Sequence, residues 1–393
     1  MKINKKYQSA LKSNITIVIP LHLPIKYPCD YIDQTAKVLS KKYQVIFYDY
    51  YNPISWKNLF KKTQLKKFFL NLKKLKKNQK NDIILMNWPA FLPLARFSQI
   101  TEINKKVSFF FFLFFLFLLR KKVLIWEFYP LITKKNFFTK FLIYDCVDHL
   151  DKKVHQKEII KEENKLFKNC DFIAFNSKAL YEKKINDHSF IKNKSIYTVC
   201  GCNFNLFNIK RKKISKEKKI KIILYGILNY RINLPLLQYI IYNNTNYQFV
   251  IIGPIEKDIP SIFFSILKES NVFYIKKIPK NKLVDYLKVS SLGIIPYDTS
   301  YDFVKYSNPM KLYEYLAAGI PVVSTKILAL ENYPKDIVYT TNDKKAFSLS
   351  IKKLIFNWNE EKIKIAKKIA QKNSWENKVN SILKFIFKNE EKN

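Results

Sequence analysis

Apolar residues in this chain gather in short continuous runs, and the stretches between those runs are longer and more polar. In the first half the runs are "ITIVI" (15–19), "QVIFY" (44–48), "DIILMN" (82–87), "KVLIW" (122–126), "FLIYD" (141–145), "FIAFN" (172–176) and "SIYTV" (195–199). In the second half they are "IKIILYG" (220–226), "QFVIIG" (248–253), "VFYIKKI" (272–278), "SLGIIPY" (291–297), "PVVST" (321–325) and "DIVYT" (336–340). Continuous runs of this length suit strands of a parallel sheet covered on both faces. The intervals hold helical stretches such as "EIIKEENKLFKN" (158–169). The alternation breaks once, at the polar "NIKRKKISKEKK" (208–219), and then restarts. This predicts an α/β protein of two doubly wound, Rossmann-like domains, 1–207 and 220–372, joined by a 208–219 linker. A closing amphipathic helix, "NSWENKVNSILKFIFKN" (373–389), is expected to cross back to the first domain.

Two stretches do not fit a simple strand–helix alternation. "VSFFFFLFFLFLL" (107–119) would make a helix of about 20 Å, short of a hydrocarbon core of ~30 Å. It reads as a buried helix ahead of the next strand or as a helix dipping into one leaflet. "KKTQLKKFFLNLKKLKKNQK" (61–80) holds nine lysines and no acid, with Leu65, Phe68, Phe69, Leu72 and Leu75 at helical spacing. It reads as a basic amphipathic helix, packed on the core or lying on an anionic membrane surface, and the second is preferred.

Charge changes the picture less than its size suggests. Seventy-one Lys and Arg face 31 Asp and Glu, a net charge of +40. Lysine is spread along the whole chain and is inflated together with Asn, Ile, Phe and Tyr, as an AT-rich coding sequence would produce. General attraction to polyanions or membranes follows, whereas sequence-specific nucleic-acid binding does not. The five cysteines form no CxxC pair, and Cys200 and Cys202 lack a second ligand pair, so neither disulfides nor a metal site is expected. With no secretory signal read at the start, the expected location is cytoplasmic.

Candidate chemistry concentrates at "YSNPMKLYEYLAAGIPVVST" (306–325). Pro309 suits a first helical turn, and Gly319 followed by Pro321 suits a helix end. The helix tip offers free N–H groups and a positive dipole end, a ready anion site. Lys311 is badly placed in that first turn unless an anion lies nearby. Glu314 shares its face. Phosphate at the tip and Lys311, with ribose hydroxyls on Glu314, would describe a nucleotide. An i,i+3 surface ion pair would explain the same two residues. All five glycines lie in the second half, and Gly226 and Gly253 each end a strand, where a doubly wound sheet borders its ligand crevice.

"SNPMKLYEYLAAGIPVVST" resembles the nucleotide-sugar signature of GT-B glycosyltransferases, in the large group called family 4. "LIYDCVDHLD" with "EENKLFKNCDFIAFNSKAL" is similar to the N-domain pattern of its teichuronic-acid-biosynthesis branch. "CGCNFNLF" (200–207) and "SWENKV" (374–379) match its crossover and C-terminal helix, so the resemblance runs over roughly 80–385. It implies a GT-B fold, two Rossmann-like domains facing a cleft, with the acceptor in the first domain and the nucleotide sugar in the second. It implies Glu314 on the ribose, Ser307, Asn308 and Pro309 at the helix tip by the diphosphate, and Arg231 neutralising the diphosphate. Gly226 would let its loop approach the phosphates, and Ile278 would lie by the base. It puts Asp148 or His149 beside the transferred sugar as the catalytic candidates. Three positions depart from the family pattern. A second acid eight residues before Glu314 is Tyr306, the basic residue after the first glycine is Ile227, and the crossover Asn is Cys200.

The expected function is therefore transfer of a sugar from a UDP- or GDP-type donor to a cell-surface glycan or lipid-linked acceptor. Retention of configuration, no metal and no further cofactor are the family expectations, together with peripheral attachment to the inner membrane face. A nucleotide-sugar epimerase of the same fold, or a non-catalytic basic scaffold binding RNA or membrane, are the alternatives. Among loop candidates, His22 follows the first strand, and Asp145, Asp148 and Asp151 cluster around His149.

Overall fold

The computed structural model describes residues 14–21, 30–55, 60–77, 81–90, 98–210 and 219–390. His22 and most of the 208–219 stretch lie outside them. The apolar runs form two separate parallel sheets. The first holds β1 (Ile15–Leu21), β2 (Gln44–Asp49), β3 (Ile83–Met86), β4 (Lys122–Glu127), β5 (Thr139–Cys146), β6 (Phe172–Phe175) and β7 (Ser195–Tyr197), in the order β3-β2-β1-β4-β5-β6-β7. The second holds β8 (Lys221–Tyr225), β9 (Gln248–Ile252), β10 (Val272–Ile275), β11 (Leu292–Ile295), β12 (Val322–Ser324) and β13 (Val338–Thr340), in the order β10-β9-β8-β11-β12-β13. Every ladder is parallel, as doubly buried runs require.

Strand order reverses between β1 and β4 in one sheet and between β8 and β11 in the other. At such switch points the neighbouring connections leave to opposite faces and open a crevice at the carboxyl ends. Gly226 lies one residue past β8 and Tyr297 two residues past β11. The loop between Gly226 and Asn233 is stitched to β11's exit: Asp298 N donates to Arg231 O at 2.8 Å and Asn233 N to Pro296 O at 2.8 Å.

The closing helix Trp375–Glu390 lies on the first domain. Trp375, Val379, Ile382, Leu383 and Ile386, spaced three and four apart, pack with Ile32, Leu39 and Trp126. Lys378 on the same helix reaches Asp145 at 2.9 Å with both side chains dry.

The Phe-rich run is the second half of a longer helix, Ser98–Leu118. Phe109, Phe112, Leu113 and Leu116 are buried, while Phe110, Phe111, Phe114, Phe117 and Leu118 face out, three of them against Phe138. Neither reading of this run holds for all of it, because a helix carrying Phe on every side must leave one face outside a one-sided core. No helix among the described residues is long and apolar enough to cross a membrane. The basic helix is Lys62–Lys76. Leu75, with Phe68 and Leu72, is spent on the core, leaving Phe69 and Leu70 exposed.

Candidate active site

The helix Met310–Ala317 ends as its sequence requires. Gly319 adopts φ +72°, its N–H reaches Leu316 O at 3.0 Å, and Ile320 N reaches Tyr315 O at 3.0 Å. This is a Schellman closure, open to glycine because positive φ costs it nothing. The helix is buried along almost its whole length, including Glu314 at 4% exposure.

That burial corrects the surface reading of Glu314. Its partner is not Lys311. Oε1 accepts from Lys280 Nζ at 2.9 Å and Oε2 from the Tyr225 hydroxyl at 2.5 Å. A carboxylate this deep needs such donors to offset its lost hydration. Tyr225 is the last residue of β8, so the sheet itself aims its hydroxyl at the helix.

Lys311 turns the other way. Its ammonium bonds the Tyr297 hydroxyl and sits 4.8 Å from the centre of that ring. Its stem occupies the space a Cβ on Gly226 would fill, and Gly226 has φ +117°. The glycine thus admits Lys311, where the sequence suggested only that it admits phosphate. Arg231 lies by the same ring. Its Nε donates to Asn229 Oδ1 at 3.0 Å, and its guanidinium lies 5.8 Å from the Phe303 ring centre. Burial pushes the Tyr297 hydroxyl up, but the Lys311 and Arg231 charges outweigh it and hold the phenol below its usual range.

Ser307, Asn308 and Pro309 do form the helix tip, yet two of their side chains are already committed. Ser307 Oγ donates to Val304 O at 2.7 Å. Asn308 Nδ2 donates to Asn176 O of the first domain at 2.7 Å, and its Oδ1 accepts from Tyr313 at 2.8 Å. What the tip offers a ligand is therefore backbone N–H, which the first turn of a helix leaves unpaired. Cys200 Sγ donates to Asn308 O at 3.2 Å, so the departure at the crossover braces this same tip. Ile278 is half-buried on the second domain's core.

Across the cleft, the three acids around His149 part company. Asp145 pairs with Lys378 and accepts from Trp126 Nε1 at 3.3 Å. Asp151 accepts from Lys153 N at 2.8 Å and from Phe303 N of the second domain at 3.3 Å. Both are structural, because buried or loop-facing carboxylates take the nearest donors. Asp148 is left. Burial raises its pKa, and the Arg231 charge first, with Lys378 behind it, pulls it partly back. His149 packs edge-on against Tyr306, ring centres 5.5 Å apart, at the position where the resemblance expects an acid. Burial first, and the Lys184 charge second, push the His149 imidazole down to about 4. Its Nδ1 is sheltered and has no hydrogen-bond partner among the described residues. It is therefore a neutral ring at pH 7, able to accept a hydrogen bond but not to act as an imidazolium acid.

The sequence reading missed Lys280, Tyr225, Asp30 and Tyr297. Tyr225 and Tyr297 sit at strand exits flanking the picked Gly226, which was an available signal. Lys280 is one lysine of four in "KKIPKNK", with nothing local to single it out. Among the described residues no group of three His, Cys, Asp or Glu side chains is placed to hold a metal ion.

Comparison with known proteins shows what this crevice is similar to. Residues 207–373 match the sequence model for glycosyl transferases group 1. The matched segment takes in most of the second domain. A Bacillus subtilis (strain 168) protein, described as the putative teichuronic acid biosynthesis glycosyltransferase TuaH, is 23% identical over 227 residues. That match takes in 54% of this chain and 56% of TuaH, so the chain spans about half the length of this relative. Similar solved structures include sucrose-phosphate synthase from Thermosynechococcus elongatus, with a TM-score of 0.69 at 12% identity over 96% of this chain and 100% of the other. The Anabaena protein HepE, in complex with UDP and glucose, has a TM-score of 0.62 at 11% identity over 96% and 100%. The fold is GT-B: two parallel α/β sheets, with the matched segment 207–373 contributing β8 to β13, Lys311, Glu314 and Arg231.

Proposed function

We propose that this protein is a glycosyltransferase that moves a sugar from a UDP- or GDP-type donor to a cell-surface glycan or lipid-linked acceptor. The observation that carries this reading is one helix that presents a buried carboxylate, Glu314, beside a cationic crevice of Lys311 and Arg231. Ribose hydroxyls donate to Glu314. The diphosphate lies at the Pro309 tip, between Lys311 and Arg231, with Ile278 beside the base. Those cations, the tip N–H groups and the Tyr297 hydroxyl stabilise the charge that grows on the leaving diphosphate. Asp148 and neutral His149 face the transferred sugar, Asp148 steadying positive charge on the ring and His149 accepting a hydrogen bond. The diphosphate charge is met by groups of this chain, and the reading gives no step to a metal ion. Transfer with retention of configuration completes it. The complex of HepE with UDP and glucose supports a nucleotide sugar as donor, and the name of TuaH supports a surface glycan as acceptor.

UDP or GDP should raise the melting temperature, with a gain of about 2.7 kcal/mol at 100 times Kd. Glu314→Gln should weaken that nucleotide's binding by about 10- to 150-fold, since charge-assisted hydrogen bonds contribute roughly 1.5–3 kcal/mol. Stabilisation by neither nucleotide at millimolar concentration sinks the reading.

We further propose peripheral attachment to the cytoplasmic face of the membrane. Phe110, Phe114 and Phe117 cluster on Phe138, next in sequence to the fully exposed Phe137, and make an aromatic face on a helix that also carries exposed lysine. Aromatic side chains suit the interfacial zone and lysines suit anionic headgroups. Cosedimentation with anionic vesicles should fall on Phe114→Ser with Phe117→Ser, and fade at high salt. Wild-type protein that ignores such vesicles returns this face to another partner.

A further inference from the structure

One side chain of the crevice touches both domains and has no role in the reading above. Lys280 is the first residue of the helix Lys280–Leu287, where a cation opposes the helix dipole. Its ammonium pairs with Glu314 of the second domain and with Asp30 of the first. Asp30 in turn opens the helix Asp30–Ser40, where an acid is favoured. The side chain of Lys280 is 40% exposed, against 5% for Glu314 and 25% for Asp30. Burial works against the Lys280 charge, and the two carboxylates outweigh it and hold the ammonium protonated above its usual range. Without this lysine, two carboxylates would face each other across the domain boundary.

We infer that Lys280 is a positioning residue shared by the two domains, which frees the Glu314 carboxylate for its ligand only while Asp30 holds the other side of the ammonium. The inference rests on the nucleotide reading of Glu314 and deepens it. The physical reason is competition. Glu314 Oε1 takes one strong donor from Lys280, and a ribose hydroxyl must share or displace it. Asp30 draws part of that ammonium away, so its loss leaves Lys280 wholly on Glu314. Nucleotide affinity in the second domain thereby reports the position of the first. Other groups facing Glu314 are Tyr225, which keeps its own bond to Oε2, and Cys200 and Cys202, whose thiols burial pushes up to about 12 and beyond, so that they carry no charge.

The test is UDP and GDP affinity by titration calorimetry for the wild type, Asp30→Asn, Lys280→Met, Lys280→Arg, the Asp30→Asn/Lys280→Met double variant and Glu314→Gln. Asp30→Asn, at a partly exposed side chain outside the nucleotide crevice, should weaken the preferred nucleotide by about 3- to 10-fold. Adding Asp30→Asn to Lys280→Met should leave affinity unchanged or raise it, because the link between the carboxylates is gone. Lys280→Met should weaken binding for a different reason, because the Asp30 and Glu314 carboxylates then repel each other across the boundary, and Lys280→Arg should restore most of that loss, which a role in packing alone would not produce. Wild-type affinity in Asp30→Asn, while Glu314→Gln binds weakly, overturns the inference and leaves the donor site standing. Equal losses for Asp30→Asn in the wild-type and Lys280→Met backgrounds also overturn it. Unchanged affinity in Glu314→Gln removes the donor reading itself, and the inference with it.

Discussion

Two lysine–carboxylate pairs join parts of the molecule that are far apart in sequence, and they differ in water. Lys378 and Asp145 meet at 2.9 Å with side chains 1% and 0% exposed. Lys280 and Glu314 also meet at 2.9 Å, but the lysine is 40% exposed. Equal lengths conceal unequal jobs. A dry pair has given up the hydration of both ions, and losing either partner strands the other. A pair with one wet member can exchange its partner for water or a ligand at small cost. The first fixes the closing helix to the first domain, and the second lies where the proposed ribose enters.

The strongest way to break this contrast is Lys378→Met. It should destabilise the protein by about 3–5 kcal/mol, because Asp145 is left charged among Trp126 and the β5 core. Denaturant unfolding measures it. Adding Asp145→Asn should recover part of the loss. A loss below about 1 kcal/mol would mean that water reaches the pair after all.

How this site could be read from sequence follows the same division. Helix and strand signals are local. The closure at Gly319, the carboxyl-end placement of Gly226 and each of the thirteen strands were legible from runs, turns and spacing. Glu314 stood out because a nucleotide reading needs an acid three residues past Lys311. Its true partners did not. Tyr225 lies 89 residues away and Lys280 lies 34 away, and contacts set by tertiary packing leave no periodic mark. The same holds for Asp145. In sequence it belongs with Asp148 and Asp151, and only the closing helix, 233 residues on, shows that it is a brace. The Phe-rich run failed for a different reason. Its composition is uniform around the helix, so no pattern divides the buried face from the exposed one.

A second dry pair, Lys184 and Glu163 at 2.7 Å, extends the contrast to a titrating neighbour. Its lysine charge adds to burial in holding His149 neutral, at about 4. The ordinary value, about 6.5, applies in the unfolded chain. A depressed histidine adds stability that is fully present above the unfolded value and is lost as pH falls through the folded one. From pH 7 down to pH 4 the wild type should therefore lose up to about 3 kcal/mol more than His149→Gln. Urea melts of both proteins at the two pH values measure the difference. Parallel losses would show that water already reaches the ring, and the dry pair would then have no reach beyond its own two ions.

The smallest expected effect is the control that decides whether dryness or distance sets these energies. Lys41 and Glu376 join the same closing helix to the same domain at 3.2 Å, close to the length of the Lys378 bond, but with side chains 61% and 50% exposed. In water the attraction is screened, and the entropy of fixing two long side chains offsets most of it. Lys41→Met should change stability by less than about 0.5 kcal/mol, and the change should vanish in high salt. The difference between it and Lys378→Met then has one physical source, since helix, domain and chemistry are shared. A loss from Lys41→Met comparable to that from Lys378→Met would place the value of these bridges in the closing helix as a whole. Lys280 would then lose its claim to be the exchangeable member of the set.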